Sequence, residues 1–274
     1  MQSVLVAQQP PNHKWWFILG RETKISAAEI AAVLNLKTGQ FNLSTQAPLL
    51  FCSAPQINAS ELIKKLGGTI KIANEIASSL NQAKLIATII NTLKEKQGKI
   101  IFGLSIYGKQ NIYDLLTWGK EIKKELKSTG AAVRFVPNKE TTLSSATVGH
   151  NNLIKKGVEF IIYEEKPGKF SLARTIALQP YAEFSKRDFE RPGRDDKSGM
   201  LPPKLAMIML NLSEPKSGDV IMDPFCGSGT IITEAMIMGC KKIIGSDISA
   251  KAIEDTKKNI TWIRQNLNIS GGEV

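Results

Sequence analysis

The run Val220-Ile221-Met222-Asp223-Pro224-Phe225-Cys226-Gly227-Ser228-Gly229-Thr230, continuing into Ile231-Ile232-Thr233-Glu234-Ala235, leaves the chain few folds to choose from. An apolar strand ends on an acid, a turn with Gly-x-Gly follows, and a helix begins. Eighteen residues after Gly229, a second apolar segment, Lys242-Ile243-Ile244-Gly245-Ser246, ends in Asp247 and Ile248. Strand, tight turn, helix, strand, helix is the opening of a doubly wound α/β sheet, whose ligands bind beyond the carboxyl ends of the strands.

The residue types at those positions narrow the ligand. Gly227 and Gly229 can take positive φ and let a ligand approach the backbone where a Cβ would stand. Free N–H groups at a helix start suit a carboxylate or a phosphate. A carboxylate at position 247 can accept both ribose hydroxyls of a nucleoside. A nicotinamide fingerprint needs a third glycine three residues after Gly229, and position 232 is Ile. S-adenosylmethionine (SAM) fits instead: it has no pyrophosphate, and its methionyl ammonium gains from an acid such as Asp223. A strand–turn–helix corner with no ligand is the plain alternative, but it leaves the placing of two acids and two glycines unexplained. The cofactor-binding candidates are therefore Asp223, Pro224, Phe225, Cys226, Gly227, Ser228, Gly229, Thr230, Asp247 and Ile248. Cys226 reads as a small filler of the turn rather than a nucleophile.

Upstream, alternation between period 2 and period 3.6 continues for about 175 residues. Lys14 to Gly20 predicts a strand, Ser26-Ala27-Ala28-Glu29 a helix N-cap with an acid three residues on, and Phe41 to Ser53 a weaker strand region. A short helix from Ser60 stops at Gly67-Gly68, and a strand follows around Thr69 to Ile76. This β-α-β-α-β run suggests a ferredoxin-like unit over residues 1–76. A second α/β block follows over 77–178, with a helix striped by Leu85, Ile86, Ile89, Ile90 and Leu93. Its other elements are a strand at Ile100–Tyr107, a helix at Tyr113–Lys127, a strand at Ala131–Val136, a capped helix from Ser144 to Lys155 and two closing strands. Residues 179–201, rich in Arg, Asp, Gly and Pro, carry no period and read as a linker or an ordered loop. The last domain is placed at 202–274.

Charge points toward a polyanion. Lys and Arg number 36 against 25 Asp and Glu, a formal +11. Such an excess suits phosphate contacts, although a lysine-rich helix face can equally be solvated surface. Three cysteines without a CxxC pair and two histidines make a disulfide scaffold and a Cys/His metal site poor readings. No apolar stretch nears the roughly 20 residues of a membrane helix, and no secretory leader is evident, so the expectation is a cytoplasmic protein. Charge by itself does not separate RNA from DNA or from an acidic protein. His150 reads as a helix-surface residue, and of the adjacent Trp15 and Trp16, one is expected in the core and one at a domain interface.

Asp223-Pro-Phe-Cys-Gly-Ser-Gly-Thr230 resembles motif I of class I SAM-dependent methyltransferases that modify exocyclic amines of nucleic acids. Arg191-Pro-Gly-Arg-Asp-Asp-Lys-Ser-Gly-Met-Leu-Pro-Pro-Lys-Leu205 narrows the match, as do Ile18-Leu-Gly-Arg21 and Ser26-Ala-Ala-Glu29-Ile30. Together they look like the archaeal and eukaryotic THUMP-domain methyltransferases that make N2-methylguanosine at position 10 of tRNA. Leu66 to Lys71 and Thr142 to Asn151 are similar to that family's ferredoxin-like and THUMP segments. The resemblance implies a ferredoxin-like unit, a THUMP RNA-binding domain and the N-terminal part of a Rossmann-like methyltransferase sheet. It further implies SAM as cofactor and tRNA as partner, with Arg134, Lys139, Lys155 and Lys156 as the candidate RNA contacts.

The resemblance has one gap. Such enzymes carry a later Asp/Asn-Pro-Pro-Tyr loop that holds the target amine. Pro10-Pro11 and Pro202-Pro203 are followed by no aromatic, so no catalytic residue is assigned. The expectation is a fragment, inactive alone, completed by a missing C-terminal half or by a small activator subunit. The rival readings are a nucleic-acid adenine-N6 methyltransferase and an RNA-binding module with a vestigial SAM fold.

Overall fold

The computed structural model describes residues 13–194, 199–267, 269 and 272–274. Two compact units share the chain: residues 1–18, 39–60 and 70–178 form one, and residues 19–38, 61–69 and 179–274 the other.

In the first unit, a single eight-stranded sheet runs through both of the α/β blocks seen in the sequence. Its strands are β1 (His13–Leu19), β2 (Phe41–Leu43), β3 (Leu49–Ala54), β4 (Thr69–Leu80), β5 (Ile100–Tyr107), β6 (Val133–Val136), β7 (Val158–Lys166) and β8 (Lys169–Leu178). They lie in the order β2-β3-β1-β4-β8-β7-β5-β6. Because strand side chains alternate, Ile100, Phe102, Leu104 and Ile106 of β5 share a face with Val158, Phe160 and Ile162 of β7. Onto that face pack α3 (Gln82–Lys94), with the apolar stripe its sequence shows, and α4 (Ile112–Ser128), with Leu115, Trp118, Ile122 and Leu126. Asn81 caps α3, and a capping box of Asn111 and Asp114 starts α4.

The opposite face holds a buried ion pair. Lys71 Nζ lies 2.5 Å from Glu159 Oε1 and donates to the Leu143 carbonyl at 2.8 Å. Ser105 and Thr175 hydroxyls donate to the two Glu159 oxygens at 2.7 Å each. The network crosses four neighbouring strands and ties the segment before α5 (Ser145–His150) to the sheet. Burial, with Glu159 nearby, pushes the Tyr107 hydroxyl well above its ordinary range. Trp15 and Trp16 are both buried.

The second unit begins with α1 (Thr23–Val33) and takes in part of α2 (Ala59–Leu62). Here the structure corrects the predicted N-cap. Ser26 lies inside α1, its hydroxyl donating to the Glu22 carbonyl, and Glu29 is wholly buried. Glu29 accepts from the N–H groups of Gly67 (2.8 Å) and Gly68 (2.9 Å) and from Asn211 Nδ2 (2.7 Å). The glycine pair is therefore more than a helix stop: a Cβ on Gly67 would stand 2.1 Å from the Lys204 carbonyl, and one on Gly68 2.3 Å from Ser26 Oγ. The patternless stretch after 179 contains α6 (Tyr181–Phe189), which buries Phe184 together with Arg187. An apolar period cannot register a face whose second buried member is an arginine. The predicted helix from Ser144 to Lys155 is shorter, ending at His150 before a run of turns.

After α7 (Pro203–Leu212) come β9 (Val220–Asp223), α8 (Thr230–Ile237), β10 (Lys242–Gly245) and α9 (Ala250–Leu267). β9 and β10 are parallel, and Glu273 continues the sheet beyond β10, exchanging backbone hydrogen bonds with Lys241 and Ile243. The strand–helix–strand–helix order is the one that the motif predicts; the bridge at Glu273 is an addition it did not foresee. One face packs Ile243 against Leu210, Ile232, Ala235, Met236 and Ile260. On the other face Val220, Met222 and Ile244 remain about half exposed. Among the described residues, no helix is long and apolar enough to cross a membrane.

Candidate functional site

β9, the turn after it and the end of β10 build the candidate site. The strand ends are stitched by Ser246 N–H to the Asp223 carbonyl (3.0 Å) and Cys226 N–H to the Ser246 carbonyl (2.9 Å). The Phe225 N–H donates to Asp223 Oδ1 at 3.1 Å, which fixes the turn after the strand. Asp247 closes the frame: Oδ2 accepts from Gly227 N–H at 2.9 Å and Oδ1 from Ser249 N–H at 2.9 Å. Those two donors, Ser249 first, hold the Asp247 carboxyl below its ordinary range. It is thus an anion near neutral pH, able to accept further hydrogen bonds through its remaining lone pairs.

The two glycines do different work. Gly227 has φ +52° and nothing within 4 Å of where its Cβ would stand. That leaves its backbone open beside an anchored carboxylate. Gly229, with φ +81°, begins α8, and a Cβ there would come 2.7 Å from Thr256 Cγ2. Its lack of a side chain serves close packing against α9.

The structure divides the ten candidates accordingly. Asp223, Pro224, Phe225, Gly227, Asp247 and Ile248 are half or fully exposed around the turn, Phe225 at 86% and Ile248 completely. The side chains of Cys226, Ser228 and Thr230 turn inward. Burial pushes the Cys226 thiol up, so it stays protonated and fills the turn.

The inward side leads to residues that periodicity did not reveal. Arg191 Nη1 donates to Thr230 Oγ1 at 2.5 Å. Asn259 of α9 accepts from Gly193 N–H and donates to the carbonyls of Gly193 and Ser228, each at 2.8 Å. A Cβ on Gly193 would stand 2.5 Å from the Asp255 carbonyl. The Arg191-Pro-Gly segment thus clamps the turn from beneath. Arg187 of α6 grips Glu234 of α8 through Nε–Oε1 at 2.7 Å and Nη2–Oε2 at 3.2 Å, with both side chains buried. Burial pushes the Glu234 carboxyl up, and Arg187 opposes that shift. The sequence signal available for this pair was an isolated Glu inside an otherwise apolar helix.

In the first unit, Arg134 Nη2 donates to Asn151 Oδ1 at 2.7 Å, and Lys139, His150, Lys155 and Lys156 are exposed.

Residues 191–271 match the family model described as UPF0020: RMKL-like, methyltransferase domain. A tRNA (guanine(10)-N2)-dimethyltransferase of Methanothermobacter thermautotrophicus is 40% identical over 111 residues, 39% of this chain and 30% of that protein. One from Methanocaldococcus jannaschii is 44% identical over 94 residues, 32% of this chain and 26% of its own length. The Pyrococcus abyssi protein of the same name is 24% identical over 250 residues, 89% of this chain and 66% of the relative. The matches thus span less than a third of the first two relatives. Among solved structures, TrmN from Thermus thermophilus superimposes with a TM-score of 0.54 at 14% identity, over 94% of this chain and 71% of that one. SMU.472, complexed with SAH, gives 0.51 at 12% identity over 97% and 76%. At such identities the structural likeness shows the fold, a Rossmann-like methyltransferase architecture. The chain is similar over residues 191–271 to the RMKL-like methyltransferase domain, and in sequence to tRNA (guanine(10)-N2)-dimethyltransferases.

Proposed function

We propose that the chain belongs to a SAM-dependent methyltransferase acting on the N2 amine of a tRNA guanosine, at position 10 as the relatives' names say. The observation that carries this reading is the anchored Asp247 carboxylate beside the open backbone of Gly227. Asp247 would accept the ribose hydroxyls, Gly227 would admit the ligand against its backbone, and Asp223 would face the methionyl ammonium. SAM would supply an activated methyl group on its sulfonium. The chain's own contribution is to fix that ligand's orientation, and positioning is a large part of such a transfer.

tRNA is the proposed partner. The first unit holds 18 Lys and Arg against 9 Asp and Glu, the second 18 against 16. The positive excess therefore belongs to the unit that does not hold the turn after β9, and Arg134, Lys139, Lys155 and Lys156 are the proposed phosphate contacts. Residues 1–76 and 77–178 are read as the ferredoxin-like and THUMP parts, and 202–274 as the methyltransferase part, with the 179–201 segment packed against it. A small activator subunit remains part of the proposal.

Calorimetry with SAM and salt-dependent tRNA binding on the whole chain test both halves. SAM should bind once per chain, and Asp247→Ala should weaken it on the order of a hundredfold through two lost charge-assisted hydrogen bonds. Reversing Arg134, Lys155 and Lys156 together should weaken tRNA binding and flatten its salt dependence. tRNA binding without SAM binding would overturn the enzyme reading in favour of an RNA-binding module.

A further inference from the structure

The first unit contains a concave site of about 530 Å³, remote in sequence from the cofactor turn and lined only by residues of its own unit. It lies across the sheet between the β2–β3 hairpin and the β7–β8 end. Its walls are aromatic. Phe51 and Tyr163 lie 5.2 Å apart, both half-buried, with Trp16 beneath Phe51 at 5.3 Å and Phe41 on the hairpin lip. A volume in this range is that of small-molecule sites, which are mostly apolar with a few fixed polar groups.

Neutral polar side chains such as Asn42, Ser44 and Ser53 line it too, and its charged groups are two carboxylates and an ammonium. Glu75 is fixed from both sides, accepting from Lys14 Nζ and from Trp16 Nε1 at 3.0 Å each. Glu165 is held through one oxygen by the buried Ser171 hydroxyl, which leaves the other to accept. Lys14 stands at the rim, 59% exposed. Ionised carboxylates only accept hydrogen bonds. The matching ligand is therefore flat, to lie against Phe51 and Tyr163, and presents adjacent N–H donors along one edge. It also carries an anion within reach of Lys14.

We infer that this groove binds a guanine nucleotide, with N1–H and N2–H of the base donating to Glu165 and the phosphate at Lys14, which Glu75 holds in place. Among the common bases, guanine alone sets a ring N–H beside an amino group on its Watson–Crick edge. Uracil offers one N–H flanked by acceptors, which the Glu165 carboxylate would repel. Stacking on aromatics combined with edge reading is how proteins hold unpaired bases. The site is independent of methyl transfer, because none of its residues belongs to the cofactor turn.

The test is calorimetry on the whole chain with 5′-GMP, CMP, AMP and UMP and with an arginine-containing tetrapeptide. The expected order places GMP at least tenfold above UMP. Glu165→Gln should reduce GMP affinity at least fivefold while SAM affinity stays unchanged, which separates this site from the cofactor site. Single-stranded tetranucleotides form a further arm: tighter binding of a G-containing oligomer than of GMP identifies an unpaired RNA residue as the source, and the reverse a free nucleotide. Base-independent binding, preference for the peptide, no binding of any nucleotide, or an unaffected Glu165→Gln protein would overturn the inference. Were Glu165→Gln to unfold the chain, the base order on the unaltered protein would still decide.

Discussion

Removing Arg187 puts the clamp on α8 to a quantitative test. Arg187 and Glu234 are 5% and 1% exposed and meet through two hydrogen bonds. Arg187→Met keeps most of the volume but leaves a carboxylate in the interior without its cation, which costs about 3–5 kcal/mol. For a unit of this size that is roughly 12–20 °C in Tm, at about 4 °C per kcal/mol. Replacing both partners, as Arg187→Met with Glu234→Leu, should recover most of the loss, because the buried charge is gone. The pH dependence has a definite sign. Burial already raises Glu234 from its ordinary 4.5, and loss of Arg187 raises it further. A carboxyl whose folded pKa is raised holds its proton more tightly when folded, so the variant is most stable below 4.5 and loses stability as pH rises toward the folded pKa. Thermal unfolding by circular dichroism between pH 4 and 8, with amide exchange along α8, gives the readout. A single variant losing less than about 1 kcal/mol, or a double variant no better than the single, would refute the reasoning that this pair secures α8.

Three further outcomes follow from the geometry. Glu29→Ala should cost about 3 kcal/mol or more in urea titration, because the N–H groups of Gly67 and Gly68 and the Asn211 amide lose their acceptor; burial raises Glu29 above 4.5, so the parent should also lose stability as pH rises from there, a slope the variant lacks. Gly229→Ala should destabilise more than Gly227→Ala, since both need positive φ but only the former meets a neighbour, at 2.7 Å. Ligand binding reverses that order: Gly227→Ala, once folded, should lose more SAM affinity, and equal losses would count against ligand approach at Gly227. Asp247→Asn should weaken SAM less than Asp247→Ala but leave the unfolding free energy within about 1 kcal/mol of the parent, since its backbone N–H partners, Ser249 exposed and Gly227 part-buried, lie in a surface turn.

The turn after β9 was legible because its requirements are local. Gly227, Asp223 and Asp247 are fixed by backbone conformation and by their places at strand ends, and both leave a mark in the order of residues. α3 was equally plain, since its stripe is purely apolar. α1 misled because Ser-x-x-Glu is a capping box only when it faces water; a distant Asn211 and a glycine pair took the glutamate inside instead. The clamp of Arg187, Arg191 and Asn259 was invisible for a related reason. Its members look like surface residues until their partners, 47, 39 and 66 positions away, are known. The base-reading groove assembles side chains from six strands, and pairing order is what a single sequence does not write down.

The interleaving of the two units sets a timetable for synthesis. Glu29 and Asn211 are separated by 182 residues, so at about 5–20 residues per second the first leaves the ribosome roughly 10–40 s before the second. Throughout that interval the flank of α1 carrying Ala27, Ile30 and the Glu29 carboxylate has no α7 to meet, while the eight-stranded sheet can already close once residue 178 has emerged. The unit that holds α1 and α7 therefore matures after the sheet, and a nascent chain stalled between the two events would present a finished sheet with two unfinished loops, the form most in need of a chaperone.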